Sequence, residues 1–250
     1  MSKILCPLPA NGFDPTESGV PWQLLTARGH ALVFATPDAR PASADPLMVT
    51  GKGLGLLAPI LRANADGRAA YAAMCESAAF QTPIGWDQAR MEDFDALLLP
   101  GGHAKGMRPY LESATLQMLV AAFMAAGKPL GAICHGVVLA ARSRSASGRS
   151  VLHGRKTTAL TRRMEMTAWQ LTRLYLGDYY RTYPTPVEDE VRSVLASPSD
   201  FLAGPNSLAR DSEKKPQLGF TVRDGNYLSA RWPGDAHRFA IEFDGMLRRT

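Results

Sequence analysis

A chain of 250 residues with 46% hydrophobic and 20% charged residues is long enough to bury a full core in one domain, and disorder is not expected. The formal net charge of +5 comes from dispersed basic residues, the densest groups being Arg142/Arg144/Arg149, Arg155/Lys156 and Arg162/Arg163, with no interleaved aromatics; a solvated surface is expected and nucleic-acid binding is not. Cys6, Cys75 and Cys134 have no metal-ligand spacing and leave an odd thiol in any disulfide scheme, no apolar run approaches the ~20 residues of a membrane span, and the start is too short for a signal peptide, so a soluble protein of the reducing cytoplasm is expected.

In chain order, Lys3 to Leu8 reads as a first strand ending in a Pro-Ala-Asn-Gly turn. Asp14 then caps a helix with Pro15 at its first position and Glu17 at its third, a capping-box pattern, and Arg28-Gly29 stops it. His30 to Thr36 alternates as a second strand, followed by a loop from Pro37 to Pro46. Residues 53–79 read as Ala- and Leu-rich helical segments broken by Pro59 and Gly67, an insertion or lid near the strand ends. Phe94 to Pro100 is a continuous apolar strand of the kind buried on both faces in a parallel sheet, ending in Gly101-Gly102-His103. A helix from about Tyr110 to Ala126 follows, and after Gly127 comes another apolar strand that runs into Gly131-Ala132-Ile133-Cys134-His135-Gly136.

That last stretch is a strand, a tight turn and a helix, with small residues two positions either side of the cysteine, as a sharp elbow requires. Further on, Arg155 to Leu160 reads as a strand, Met164 to Gly177 and Val187 to Leu195 as helices, residues 220–222 and 227–229 as a hairpin about Asp224-Gly225-Asn226, and Ala236 to Arg249 as an amphipathic closing helix. Arg142 to Ser150 reads as a mobile surface loop, and there is no internal repeat. The alternation of strands and helices predicts a single domain over residues 1–250, a doubly wound, mostly parallel α/β sheet sandwiched by helices. Segments 53–79 and 163–215 are insertions on that domain.

At the end of a strand Cys134 is either a buried small hydrophobe or a nucleophile whose thiolate is favoured by the N-terminus of the helix behind it. Glu17 is either a helix cap or an acid/base on the same carboxyl rim of the sheet. The His135 backbone N–H and that of Gly102 or His103 are the candidate oxyanion donors, and Gly101-Gly102 offers bare backbone for close approach. His103 either lines a pocket or points to water. Cys6 and Cys75 read as bystanders, His30, His153 and His237 as structural or solvent-exposed, and no metal cluster is present.

With GAICHG after a strand, PGGH at the end of the preceding one and DPTESGVPW near the start, the chain resembles the ThiJ/PfpI superfamily over most of its length. The GGH form and the segments at 53–79 and 163–215 resemble its large stress-related branch of glyoxalase III-type chaperones. The resemblance implies a flavodoxin-like sandwich, a homodimer, no cofactor and a small carbonyl substrate. It implies Cys134 as elbow nucleophile, Glu17 as the acid hydrogen-bonded to that thiol, His135 as the histidine beside it and Gly102 as a loop donor. Where several members carry an acid that orients the histidine, this chain has Thr161-Arg162-Arg163, with Glu165 or Asp189 as the only nearby substitutes. A glutamine amidotransferase is excluded because His237 is followed by Arg238-Phe239 rather than closely by a glutamate, and peptidase activity ranks low without the orienting acid. The expected function is glyoxalase III-like conversion of 2-oxoaldehydes to 2-hydroxy acids. A stress holdase or cysteine redox sensor, and a hydrolase of another small electrophile, are the alternatives.

Overall fold

The structure, a computed structural model, describes residues 1–248. The chain runs β1 (Lys3–Pro7), β2 (Asn11–Phe13), α1 (Pro15–Ala27), β3 (Ala31–Thr36), β4 (Ser43–Ala44), α2 (Pro46–Thr50), α3 (Ala58–Leu61), α4 (Ala65–Cys75), α5 (Ala78–Gln81) and β5 (Ile84–Gly85). It continues through β6 (Ala96–Leu99), α6 (Arg108–Glu112), α7 (Ala114–Ala125), β7 (Leu130–Ile133), α8 (Gly136–Arg142), α9 (Arg162–Leu176), α10 (Val187–Val194), β8 (Thr221–Asp224), β9 (Tyr227–Ala230) and α11 (Ala236–Leu247). Arg249, where the sequence pattern ends the last helix, lies outside the described residues. No described helix is long and apolar enough to cross a membrane.

Seven strands form one sheet in the order β5-β3-β1-β6-β7-β9-β8, parallel throughout except for β8, which pairs antiparallel with β9. Every residue of β6, β7 and β9 is buried, as expected of central parallel strands covered on both faces. Helices α1 and α11 pack together, while α8 packs against α6, α7 and α10, giving the doubly wound sandwich. From β1 the chain turns to β3 on one side and later returns to β6 on the other, so the strand order reverses between β1 and β6. In an open α/β sheet the crevice outside the carboxyl ends at such a reversal holds ligands.

Several sequence expectations are corrected. The Arg155–Leu160 run forms no strand and contributes one isolated bridge, Thr157 with Phe201. The reason is local: its backbone donors are taken by the carbonyl of a turn and by a side chain rather than by a neighbouring strand. Its polar groups go elsewhere, Thr157 N–H to Asp200 O at 2.8 Å and Thr158 N–H to Ser229 Oγ at 2.9 Å. Gly67 does not break a helix but sits in the first turn of α4, capped by Asn64, whose Oδ1 accepts its N–H. The helix read from Tyr110 to Ala126 is two, because Ser113 is extended and caps α7 through the Leu116 N–H. The Pro37–Pro46 loop contributes β4, which pairs with β2 in a small second sheet. Arg142 is not a solvated surface residue: it forks onto both oxygens of Glu190, at 2.6 and 3.1 Å, and lies over the Tyr183 ring.

Beyond β9, Arg231 is the largest fully buried side chain. Its Nε and Nη2 each donate at 2.9 Å to the two oxygens of Asp235, and its Nη1 donates at 2.7 Å to Pro205 O. One guanidinium thus ties the 163–215 segment to the strand that leads into α11. Arg231→Met leaves Asp235 buried opposite an apolar chain, and a loss of about 3–5 kcal/mol in unfolding free energy is expected from denaturant titration.

Candidate active site

The first turn of α1 and the end of β6 are clipped together. Asp14 Oδ1 accepts the N–H groups of Thr16 (2.8 Å) and Glu17 (3.1 Å), and the Asp14 N–H donates to Gly101 O at 2.8 Å. The Gly101 N–H returns the contact, donating to Glu17 Oε2 at 2.8 Å. Glu17 therefore does not close the capping box that the sequence suggests; its carboxyl reaches across to the sheet instead. Bare backbone makes this possible, since a Cβ at Gly101 would lie 2.6 Å from His135 N and 2.8 Å from Glu17 Oε2. Because the Gly101 N–H is committed to Glu17, it is not available to an oxyanion. Gly102 is pressed against the end of β2, where a Cβ would come within 2.7 Å of Gly12 O.

Cys134 stands between β7 and α8 with φ +57, the left-handed region that a non-glycine residue occupies at a cost of about 1–3 kcal/mol. Its N–H donates to Ala230 O at 3.0 Å, which holds the turn to β9. Glu17 and the backbone N–H of His135 lie close enough to the sulfur to act on its ionisation. It also faces the His135 ring, with Nδ1 3.5 Å from Sγ. The sequence left open whether consecutive residues at this turn face each other, and here they do.

Burial changes the expected ionisation. Cys134 is 0% exposed, and burial pushes its thiol well above the ordinary range, with the Glu17 and Asp14 carboxyls adding to the rise. The expectation of a ready, reachable thiolate is thus corrected: desolvation outweighs the favourable helix N-terminus. Glu17, also 0% exposed, is raised well above the carboxylate range by burial and by the Asp14 charge, which favours its protonated form. His135 is pushed the other way by burial and by the neighbouring His103 and Arg142, so it is neutral. A neutral imidazole with Nδ1 toward an S–H carries its own proton on Nε2, and Nε2 is buried without a hydrogen-bond partner.

No orienting acid reaches that nitrogen. Glu165 Oε2 instead accepts the Val187 N–H at 2.8 Å, and Asp189 pairs with Arg162 Nη1 at 2.5 Å. Burial pushes Glu165 up to about 7. A carboxyl raised in the folded state contributes stability at low pH that is lost as pH rises from about 4.5 to about 7. The Glu165→Gln variant, whose amide oxygen can keep the Val187 bond, is expected to gain about 1–3 kcal/mol over the parent at pH 8 and nothing at pH 4. The paired difference in unfolding free energy is the measurement, because depressed histidines such as His103, held at about 4 by burial, tilt the parent's own profile the opposite way.

His103 lines a cavity of about 360 Å³ whose walls include Ile60 and Leu61 from residues 53–79 and Met164, Leu171 and Arg210 from residues 163–215. Its ring meets the His135 ring edge-on at 5.1 Å and the Tyr180 ring at 4.9 Å. Asp14 is also a cavity wall, whereas Cys134, Glu17 and His135 are not. The cavity thus ends one side chain short of the sulfur, at His103 beside His135 and at Asp14 beside Glu17. Of the residues predicted for the site, Cys134, Glu17, His135 and Gly101 come together, His103 stands between them and the cavity, and Gly102 flanks them. Sequence reasoning missed Tyr180, Arg210 and Trp232, whose positions along the chain carry no local signal of a shared cavity. Three or more His, Cys, Asp or Glu side chains able to hold a metal do not cluster among the described residues.

A cysteine forced into a left-handed turn between strand and helix, with a buried carboxyl from the first turn of α1 clipped to the end of β6 beside it, defines an elbow-cysteine protein on a flavodoxin-like sheet. The chain belongs to the ThiJ/PfpI family, whose ThiJ/PfpI-like profile it matches over residues 8–205. It is 26% identical over 241 residues to a protein named deglycase PfpI from Pyrococcus furiosus, covering 96% of this chain and 97% of that one. It is 25% identical over 203 residues to a Thermococcus kodakarensis deglycase, covering 78% and 92%. In fold it is similar to glyoxalase III from Candida albicans, with a TM-score of 0.65 at 16% identity over 98% of this chain and 96% of that one.

Proposed function

We propose that the chain is a cofactor-independent cysteine enzyme that converts a 2-oxoaldehyde such as methylglyoxal to its 2-hydroxy acid with water. The observation that carries this reading is the Cys134 sulfur lying 3.5 Å from His135 Nδ1, with the buried Glu17 carboxyl clipped to Gly101 beside it. Relatives named deglycase and a structural neighbour named glyoxalase III support it.

A substrate arriving past the His103 ring meets a thiol, not a thiolate. The neutral His135 Nδ1 accepts the thiol proton as sulfur adds to the aldehyde carbon, and the proton passes to the aldehyde oxygen to give a hemithioacetal. The His135 and Gly102 N–H groups are the proposed donors to the oxygen as it gains charge. Glu17 gives its proton to the C2 oxygen and the carboxylate so formed takes the C1 hydrogen, leaving an enediol; Glu17 then returns that proton to C2 and takes up the C1 hydroxyl proton as the thioester forms. C1 is oxidised as C2 is reduced, so no outside oxidant is needed. Water opens the resulting thioester, assisted by His135, and the thiol is restored.

The relatives' names favour a second reading in which the same sulfur acts on an oxoaldehyde already attached to an amine or thiol. Lactate formed from free methylglyoxal without glutathione or any added amine supports the first reading. Lactate formed only from a preformed amine or thiol adduct supports the second, and no lactate from either ends both. A redox sensor is less favoured, because cysteine oxidation follows thiolate character and exposure, and Cys134 has neither.

A further inference from the structure

Four buried polar atoms without a hydrogen-bond partner belong to walls of the same cavity: His103 Nδ1, Tyr180 Oη, Arg210 Nη1 and Trp232 Nε1. Buried polar groups are nearly always satisfied, so four orphans on residues that line one cavity point to a ligand that would pair them. Three of them are donors: a guanidinium N–H, an indole N–H and a phenol O–H. Tyr180 is 3% exposed and His103 9%.

Arg210 is held for this purpose. Its Nη2 donates to the carbonyls of Ile60 and Arg62, at 3.2 and 3.3 Å, and its Cζ lies over the Trp232 ring, 4.9 Å from the centroid. It forms no side-chain ion pair within 4 Å among the described residues, and the charge it feels most strongly is that of Asp14 across the cavity. Arg163, exposed at the rim, is the other cation among the walls, and Asp14 is the one anion. The remaining surface is largely apolar, including Met48, Leu61, Leu160, Met164 and Leu208. A three-carbon oxoaldehyde has only a handful of heavy atoms and no anionic group, so it would leave most of this space and all these donors unused.

We infer that the cavity is a subsite for a carboxylate on an apolar body, with Arg210, Trp232 Nε1 and Tyr180 Oη binding the carboxylate and the carbon chain lying on the aliphatic wall. The substrate class then becomes a carboxylate-bearing 2-oxoaldehyde or oxoaldehyde adduct. That last step rests on the function proposed above, while the binding does not. A monoanion suits the site better than a phosphate dianion, because Asp14 faces the same space.

The test is isothermal titration of the whole protein with 4-phenylbutyrate and with its neutral amide, at fixed ionic strength. Donors to a charged acceptor are each worth about 1.5–3 kcal/mol, so the carboxylate is expected to bind at least about tenfold tighter than the amide. Arg210→Met should reduce that ratio at least fivefold. Trp232→Phe keeps the ring beneath the guanidinium and removes only the N–H, and it should reduce the ratio in the same direction. Equal affinity for acid and amide in the parent, no binding of either, tighter binding of phenylphosphonate, or a ratio unchanged in both variants would each overturn the inference. Carboxylate preference that persists in Cys134→Ser, in a protein that turns over no carbonyl, would leave the subsite standing and remove the proposed reaction; turnover without carboxylate preference would do the reverse.

Discussion

Cys134→Ser is expected to reduce oxoaldehyde turnover to background, a loss on the order of 10⁴–10⁶ by analogy with removal of other covalent nucleophiles. The change is nearly isosteric, and the new hydroxyl has partners waiting in Glu17 and in His135 Nδ1, so the fold should tolerate it. What it removes is nucleophilicity. A neutral imidazole can relieve a thiol of its proton as the carbon–sulfur bond forms, but an aliphatic hydroxyl, far more reluctant to ionise, gains little from the same base without an orienting acid behind it. His135 Nε2 has no such acid. Lactate measured from methylglyoxal, alongside an unchanged thermal midpoint, checks the expectation; turnover within tenfold of the parent would place the chemistry elsewhere.

Glu17→Gln is the second large effect, with turnover falling about 10²–10⁴. The amide oxygen can still accept the Gly101 N–H, so the clip between α1 and β6 should survive, and only the transferable proton is lost. A stability readout separates this from a packing role. Glu17 is raised by burial and by Asp14, so the parent gives up stability as pH rises past the ordinary glutamate range, and the glutamine variant does not. The variant should therefore be the more stable protein at pH 8 and the far slower enzyme at every pH. An unstable variant, or one of undiminished rate, would mean that Glu17 serves the fold alone.

The parts legible in the sequence are those whose signal is local. The elbow at Cys134 is written in small residues on either side of one position, and the apolar runs of β6 and β7 are contiguous. Asp14 announces the start of α1 within three residues, although the pattern that suggests a capping box does not reveal that the Glu17 carboxyl is drawn away to Gly101, 84 positions on. The threonine-rich run at 155–160 has the composition of a strand and fails to be one because its backbone donors find Asp200 O and Ser229 Oγ, partners far along the chain. Ionisation is equally hidden: the helix behind Cys134 is visible in the sequence, the enclosure that opposes it is not. The cavity is the least legible feature, since His103, Tyr180, Arg210 and Trp232 come from four separate stretches of chain that carry no shared motif.

Because Cys134 and His135 sit at the end of β7 and Glu17 in the first turn of α1, while much of the cavity wall comes from residues 60–61 and 163–210, reactivity and selectivity are drawn largely from different stretches of chain. Grafting other lengths of polypeptide at 53–79 or 163–215 would redraw what is admitted while leaving the sulfur and its acid where the sheet holds them. The same division makes the chain a scaffold in which recognition can be redesigned with the reaction centre kept constant.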